Sequence, residues 1–168
     1  MSIGRRRLRG SYPVLILRTP YGRTAPLNVL FFEALTAVKR GYIVVQQVTR
    51  GRFDSDGEWP WAYEQQDGYD TVVWATSLPG SNGKVGMFGG SYTGQTQWAA
   101  ALAGPPGLAA IAPQITWSDP AAGLMFRGGA IELGLNAFWT LAQALPQFPK
   151  VIDDPDELLA AMATTIED

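Results

Sequence analysis

"GMFGGSYTGQTQWAAALAG", Gly86–Gly104, decides how the rest of the chain is read. It opens apolar, crowds glycines around Ser91, and closes as a helical pattern. The run from Val85 to Gly89 reads as a buried strand, and Tyr92 to Gly104 reads as a helix. Only Gly90 and Ser91 are left for the turn between them. A strand that passes so abruptly into a helix belongs to a βαβ unit.

The flanks extend the same alternation. "YPVLIL" before it and "YIVVQQV", Tyr42–Val48, read as strands. The second is continuous in apolar residues, as in parallel strands buried on both faces. Between them, Leu27, Leu30, Phe31, Ala34, Leu35 and Val38 recur at helical spacing, and Lys39-Arg40-Gly41 closes the helix. "TRGRFDSDGEWP" is a polar, Gly-containing loop at another strand end; the charges of Arg50-Gly51 and Asp54–Gly57 either position a site rim or, more simply, are solvated turn residues. "EQQDGYDTVVWATSL" is a helix stopped by Pro79-Gly80, with Asp67 and Asp70 near its start. "LAAIAPQIT" is a fourth strand. The order βαβαβαβ predicts an α/β fold with a mostly parallel sheet and helices on both faces. The composition changes near Trp117. From there "WSDPAAGLMFRGGAIELGLNAFWTLAQALPQFP" is helical in flavour, and a last helix begins at Asp153 or Asp154 with Pro155 in its first turn. Two domains are expected, 1–116 and 117–168, with residues 1–10 disordered.

Of the 168 residues, 46% are hydrophobic and 17% charged, and net charge is -2. That is a globular composition, and it advertises no nucleic-acid partner. Arg5, Arg6, Arg7 and Arg9 read as a solvated terminus. There is no cysteine and no histidine. Thiol chemistry is excluded, the common kinds of zinc site are not expected, and no cofactor is implied. No apolar run approaches the ~20 residues that span a bilayer, so a soluble, cytoplasmic protein with no membrane partner is the simplest expectation.

Ser91 sits where ligands bind in open parallel sheets, beyond the carboxyl end of a strand. A sharp strand-to-helix turn exposes the serine oxygen and puts helix N–H groups behind it. This is the context of a nucleophile elbow. The strict pattern is G-x-S-x-G. Gly89 fits at minus two, but plus two is Thr93 and the glycine follows at Gly94. Two other readings stay open on these residues alone: a turn that merely packs helix on strand, and a non-catalytic module holding an anion at the helix start after Gly90. A dinucleotide fingerprint and a phosphate loop are both absent.

"GKVGMFGGSYTGQTQWAAA" resembles the cocaine esterase and X-Pro dipeptidyl-peptidase group of serine hydrolases, which carry G-x-S-Y-x-G. "RTPYGR", "RGRFDSDGEW", "DGYDTVVWA" and "LAAIAP" agree with that group in order. The resemblance implies a partial α/β-hydrolase fold over residues 1–116, followed by the beginning of a helical cap. It implies Ser91 as the acylated nucleophile, with the Tyr92 backbone N–H and the Tyr21 hydroxyl as oxyanion donors. The implied substrate is a small-molecule ester or amide. Phe126 and Trp139 are candidate pocket walls in the cap.

The chain also departs from the group. Without histidine no Ser-His-Asp triad can form within it. Asp67 and Asp70 precede the serine, against the hydrolase order of serine, aspartate, histidine. Val48 stands where an acidic residue is expected. The simplest expectation is an internal piece of a larger hydrolase, nearly inactive alone, that self-associates through an exposed sheet edge.

Overall fold

The computed structural model describes residues 10–25, 28, 33–59, 64–119 and 121–167. It divides into two compact units, Met1–Thr116 and Trp117–Asp168.

The first unit is built on four strands: β1 (Tyr12–Thr19), β2 (Ile43–Val48), β3 (Ser81–Gly90) and β4 (Leu108–Gln114). They form one sheet in the order β2-β1-β3-β4, and all three neighbouring pairs are parallel. Among the described residues the connections carry helices α1 (Ala34–Lys39), α2 (Glu64–Thr76) and α3 (Tyr92–Ala103). The helical pattern before Ala34 falls largely outside the described residues. The chain leaves β1 in one direction to reach β2, then returns across it to β3 and β4. Right-handed crossovers therefore put α1 on one face and α2 and α3 together on the other.

Alternate residues of the two central strands make the core under α2 and α3. Val14 and Ile16 of β1 and Val85 and Met87 of β3 meet Val72 and Ala75 of α2 and Ala100 of α3, all buried. Each larger side chain of this set contributes roughly 1.5–3 kcal/mol by leaving water. Helix α2 turns a narrow side inward: Gly68, Thr71, Val72 and Ala75 are buried, while Val73 is exposed. One correction concerns β2. Its continuous apolar run suggested burial on both faces, yet it is an outer strand of the described sheet and only Val48 is buried. An apolar run reports what a strand is able to cover, and at a sheet edge less covers it.

The second unit carries a two-stranded antiparallel hairpin, β5 (Phe126–Arg127) and β6 (Ala130–Ile131). Gly128 and Gly129, at φ 58° and 85°, make its two-residue turn. Both central positions of such a turn require positive φ, which glycine supplies without strain. The helical reading of this stretch missed that pair. Helices α4 (Leu133–Ala144), α5 (Phe148–Val151) and α6 (Pro155–Glu167) follow. Asp154 caps α6: its Oδ1 accepts the N–H groups of Asp156 and Glu157, each at 2.9 Å. Among the described residues no helix is long and apolar enough to cross a membrane.

Candidate active site

The strand order reverses between β1 and β3, so the crevice beyond their carboxyl ends is the sheet's topological switch point. Ser91 follows β3 directly, and Tyr21 lies two residues past β1. These strands are parallel neighbours, so both residues leave the sheet at its same end.

Ser91 stands between β3 and α3 at φ 56°, ψ -126°. A non-glycine residue rarely holds such a conformation, and the surroundings must enforce it. They do so entirely through its backbone. The Ser91 N–H donates to the carbonyls of Gln114 (3.0 Å) and Ile115 (3.1 Å). Its carbonyl accepts from the N–H of Gly94 (2.9 Å), the N–H of Gln95 (3.1 Å) and the Thr116 hydroxyl (2.7 Å). The Ser91 hydroxyl makes no capping bond to the helix.

The glycine spacing now has a physical basis. A Cβ on Gly89 would stand 2.2 Å from Thr93 Oγ1, so the minus-two glycine makes room for the threonine at plus two. A Cβ on Gly94 would stand 2.7 Å from the Thr116 side chain, whose hydroxyl holds Ser91. Buried Gln97 ties the corner to both strands. Its Nε2 donates to Gly89 O (3.1 Å) and Thr93 O (2.9 Å), and its Oε1 accepts Ala112 N–H (2.9 Å).

Tyr21 is half-buried on a loop held at successive residues. Its N–H donates to Thr19 Oγ1 (3.1 Å), Asn28 Nδ2 donates to Gly22 O (2.7 Å), and Arg52 Nε donates to Pro20 O (3.0 Å). Tyr92 opens α3, so its N–H is among those that a helix leaves without an intrahelical acceptor. Its side chain is fully buried, and its hydroxyl donates to Glu64 Oε1 at 2.8 Å. The Trp59 indole N–H donates to the same hydroxyl at 3.2 Å.

Glu64 Oε2 in turn receives Arg18 Nη1 at 2.9 Å, and Arg18 Nε donates to Gln47 Oε1 at 2.9 Å. Asp67 takes Arg50 through two bonds. The Arg52 guanidinium lies 4.6 Å from the centre of the Trp59 ring, a cation–π contact. Burial pushes the Arg52 pKa down, while the fields of Tyr92 and Tyr21 act to raise it. Sequence reading missed Arg18, Arg52, Trp59 and Glu64 as a network. Asp67, read as a helix-start residue, is also an ion-pair partner. Nearby, a polar cleft of ≈ 380 Å³ is lined by Arg50, Asp56, Asp67 and Asp70 among others, with neither Ser91 nor Tyr21 in its walls.

Burial, and then the neighbouring Glu64 charge, push the Tyr92 phenol well above its ordinary value of 10.0. The folded chain therefore keeps a proton that the unfolded chain loses. Stability present below about pH 10 should fall above it, by up to ~1.4 kcal/mol per pH unit for this group. Urea unfolding between about pH 9 and about pH 11 should show that slope, and Tyr92→Phe should flatten it.

Phe126 lies on β5 and is exposed, and Trp139 lies half-buried on α4. Both belong to the second unit.

The sequence profile of X-Pro dipeptidyl-peptidases (S15 family) matches residues 7–165. The chain is 43% identical over 118 residues to the cocaine esterase of Rhodococcus sp. (strain MB1 Bresler), which covers 66% of this chain and 20% of that protein. A CocE/NonD family hydrolase of Staphylococcus aureus superposes with a TM-score of 0.73 at 29% identity, over 92% of this chain and 31% of that one. An aminopeptidase of a marine sediment Thaumarchaeota archaeon superposes with a TM-score of 0.65 at 26% identity, over 80% of this chain and 26% of that one. The chain thus spans between a fifth and a third of the length of these relatives.

Proposed function

Because the chain belongs to the S15 family of X-Pro dipeptidyl-peptidases, a family of serine hydrolases, we propose that it carries the nucleophile half of a hydrolase that cleaves acyl esters or amides through an acyl-serine. The observation that carries this reading is the strained Ser91, locked through its backbone while its hydroxyl is left out of helix capping. An esterase and an aminopeptidase among the relatives support a carbonyl substrate of the ester or amide class.

In this reading Ser91 Oγ attacks the substrate carbonyl carbon and gives up its proton to a base. The Tyr92 N–H and the Tyr21 hydroxyl receive the oxyanion, and a single such donor contributes ~3–4 kcal/mol to the transition state. The alcohol or amine leaves with a proton. Water then releases the acid from the acyl-serine and restores the hydroxyl. The 168 residues hold no histidine, so the usual base lies outside them. Without it the serine stays protonated and weak, and turnover by this chain alone is expected to be lower by about 10⁶-fold.

A fluorophosphonate probe tests the reading. Ser91 should be labelled when a polypeptide supplying the family's aspartate and histidine is added, and Ser91→Ala should abolish the label. Saturable binding of inorganic phosphate, with no labelling under any such complement, would instead favour an anion site at the start of α3.

A further inference from the structure

The loop between β2 and α2 grips the segment that carries Tyr21 from both sides. Arg52, buried at 2% exposure, donates through Nε to Pro20 O, the residue before Tyr21. Phe53, the next residue, lays its ring against Gly22, the residue after it. A Cβ on Gly22 would meet that ring at 3.3 Å. Phe53 holds this position at φ 45°, unusual for an aromatic residue. The same Arg52 guanidinium stacks on Trp59, whose indole N–H donates to the Tyr92 hydroxyl. One buried cation thus touches the loop after β1 directly, and reaches the first residue of α3 through a single side chain.

We propose that Arg52 is a positioning residue that fixes the spacing between the Tyr21 loop and the Tyr92 end of helix α3, and with it the geometry of the two oxyanion donors. The proposal rests on the acyl-serine reading for its purpose. The coupling itself is a property of this chain. Arg52 does not touch the reacting atoms. Its contribution is preorganisation: donors held where negative charge develops need no rearrangement when it appears. A planar guanidinium suits this task because it offers an in-plane N–H to a carbonyl and its face to an indole, which a lysine ammonium cannot combine.

Three variants of the 168-residue protein test this: Arg52→Met, Arg52→Lys and, as a destabilised control away from the loop, Val72→Ala. Amide exchange at Tyr21, whose N–H donates to Thr19 Oγ1, and the resonance of the Trp59 indole N–H are followed by NMR. Arg52→Met should speed exchange at Tyr21 about tenfold and shift the Trp59 signal. Arg52→Lys should recover part of the first effect and little of the second. Val72→Ala should move neither. If Tyr21 loosens while Trp59 is unmoved, if neither responds to Arg52→Met, or if Val72→Ala has the same effects, the coupling is refuted. If Arg52→Met does not fold, Arg52→Lys carries the test through its unequal effects on the two signals.

Phosphonate labelling of the complemented protein separates the two readings. Labelling of Arg52→Met about tenfold slower than wild type, with unchanged probe affinity, supports positioning. Equal rates overturn it and leave the acyl-serine reading intact. Absence of labelling in wild type overturns the acyl-serine reading, while the NMR result still decides whether Arg52 couples the two segments.

Discussion

Glu64→Ala is expected to destabilise the protein by about 3–5 kcal/mol, because it strands a buried cation. Arg18 is 1% exposed, and its shortest ion pair, 2.9 Å to Glu64 Oε2, is the one removed. The remaining carboxylate, on Asp67, lies 4.0 Å away and is shared with Arg50. The same substitution takes the acceptor from the buried Tyr92 hydroxyl. Urea unfolding near neutral pH measures the loss. Replacing both members of the pair, Arg18→Met with Glu64→Leu, should recover much of it, since neither charge is then left unpaired. Recovery by the double variant is what separates an unpaired charge from simple loss of packing. If the double variant is as unstable as Glu64→Ala, the destabilisation has another origin.

Gly89→Val should cost about 3 kcal/mol or more, from overpacking and backbone strain together. The new Cβ would fall 2.2 Å from Thr93 Oγ1 and 2.8 Å from both Thr93 Cβ and Leu17 Cδ1. Neither neighbour is free to retreat: Leu17 is fully buried and Thr93 Oγ1 is bonded to Gly90 O at 2.7 Å. Gly89 also sits at φ 131°, where an L side chain is strained whatever the space. Measured against Thr93→Gly alone, Gly89→Val in the double variant should be relieved of the clash with Thr93 and keep the Leu17 contact and the backbone strain. Thermal or urea unfolding of the single and double variants measures each. A Gly89→Val protein as stable as wild type would mean that the corner has a second packing.

The alternation of strands and helices in the first unit was legible because each segment's pattern reflects its own surroundings. Val85, Met87 and Phe88 are buried in β3, and the two-sided glycine crowding around Ser91 marks a close turn. The site's supporting network was not legible for the opposite reason. Arg18 and Glu64 are 46 residues apart, and nothing in "RTPYGR" or "EQQDGYD" names the other as partner. Loop polarity was also misleading. Asp54 of "TRGRFDSDGEWP" is exposed and pairs with exposed Arg23, as solvated turn residues do. Arg52, two positions earlier, is buried. The signal available was Trp59, a large aromatic at the end of a largely polar loop, which needs something to cover. In the second unit the Gly128-Gly129 pair was a sufficient hairpin signal, and the surrounding helical periodicity obscured it.

The unengaged hydroxyl of Ser91 has a consequence for how such a site can change over evolutionary time. Every bond that holds the corner belongs to the main chain of residue 91 or to its neighbours, so the reactive atom is not part of the scaffold that presents it. Exchange of that atom alters chemistry without reopening the fold. Drift in Gly89, Thr93, Gln97 or Thr116 does the reverse and erodes the corner while the nucleophile stays in place. Selection can thus act on reactivity and on foldability at separate positions, which leaves the reaction open to innovation within an unchanged architecture.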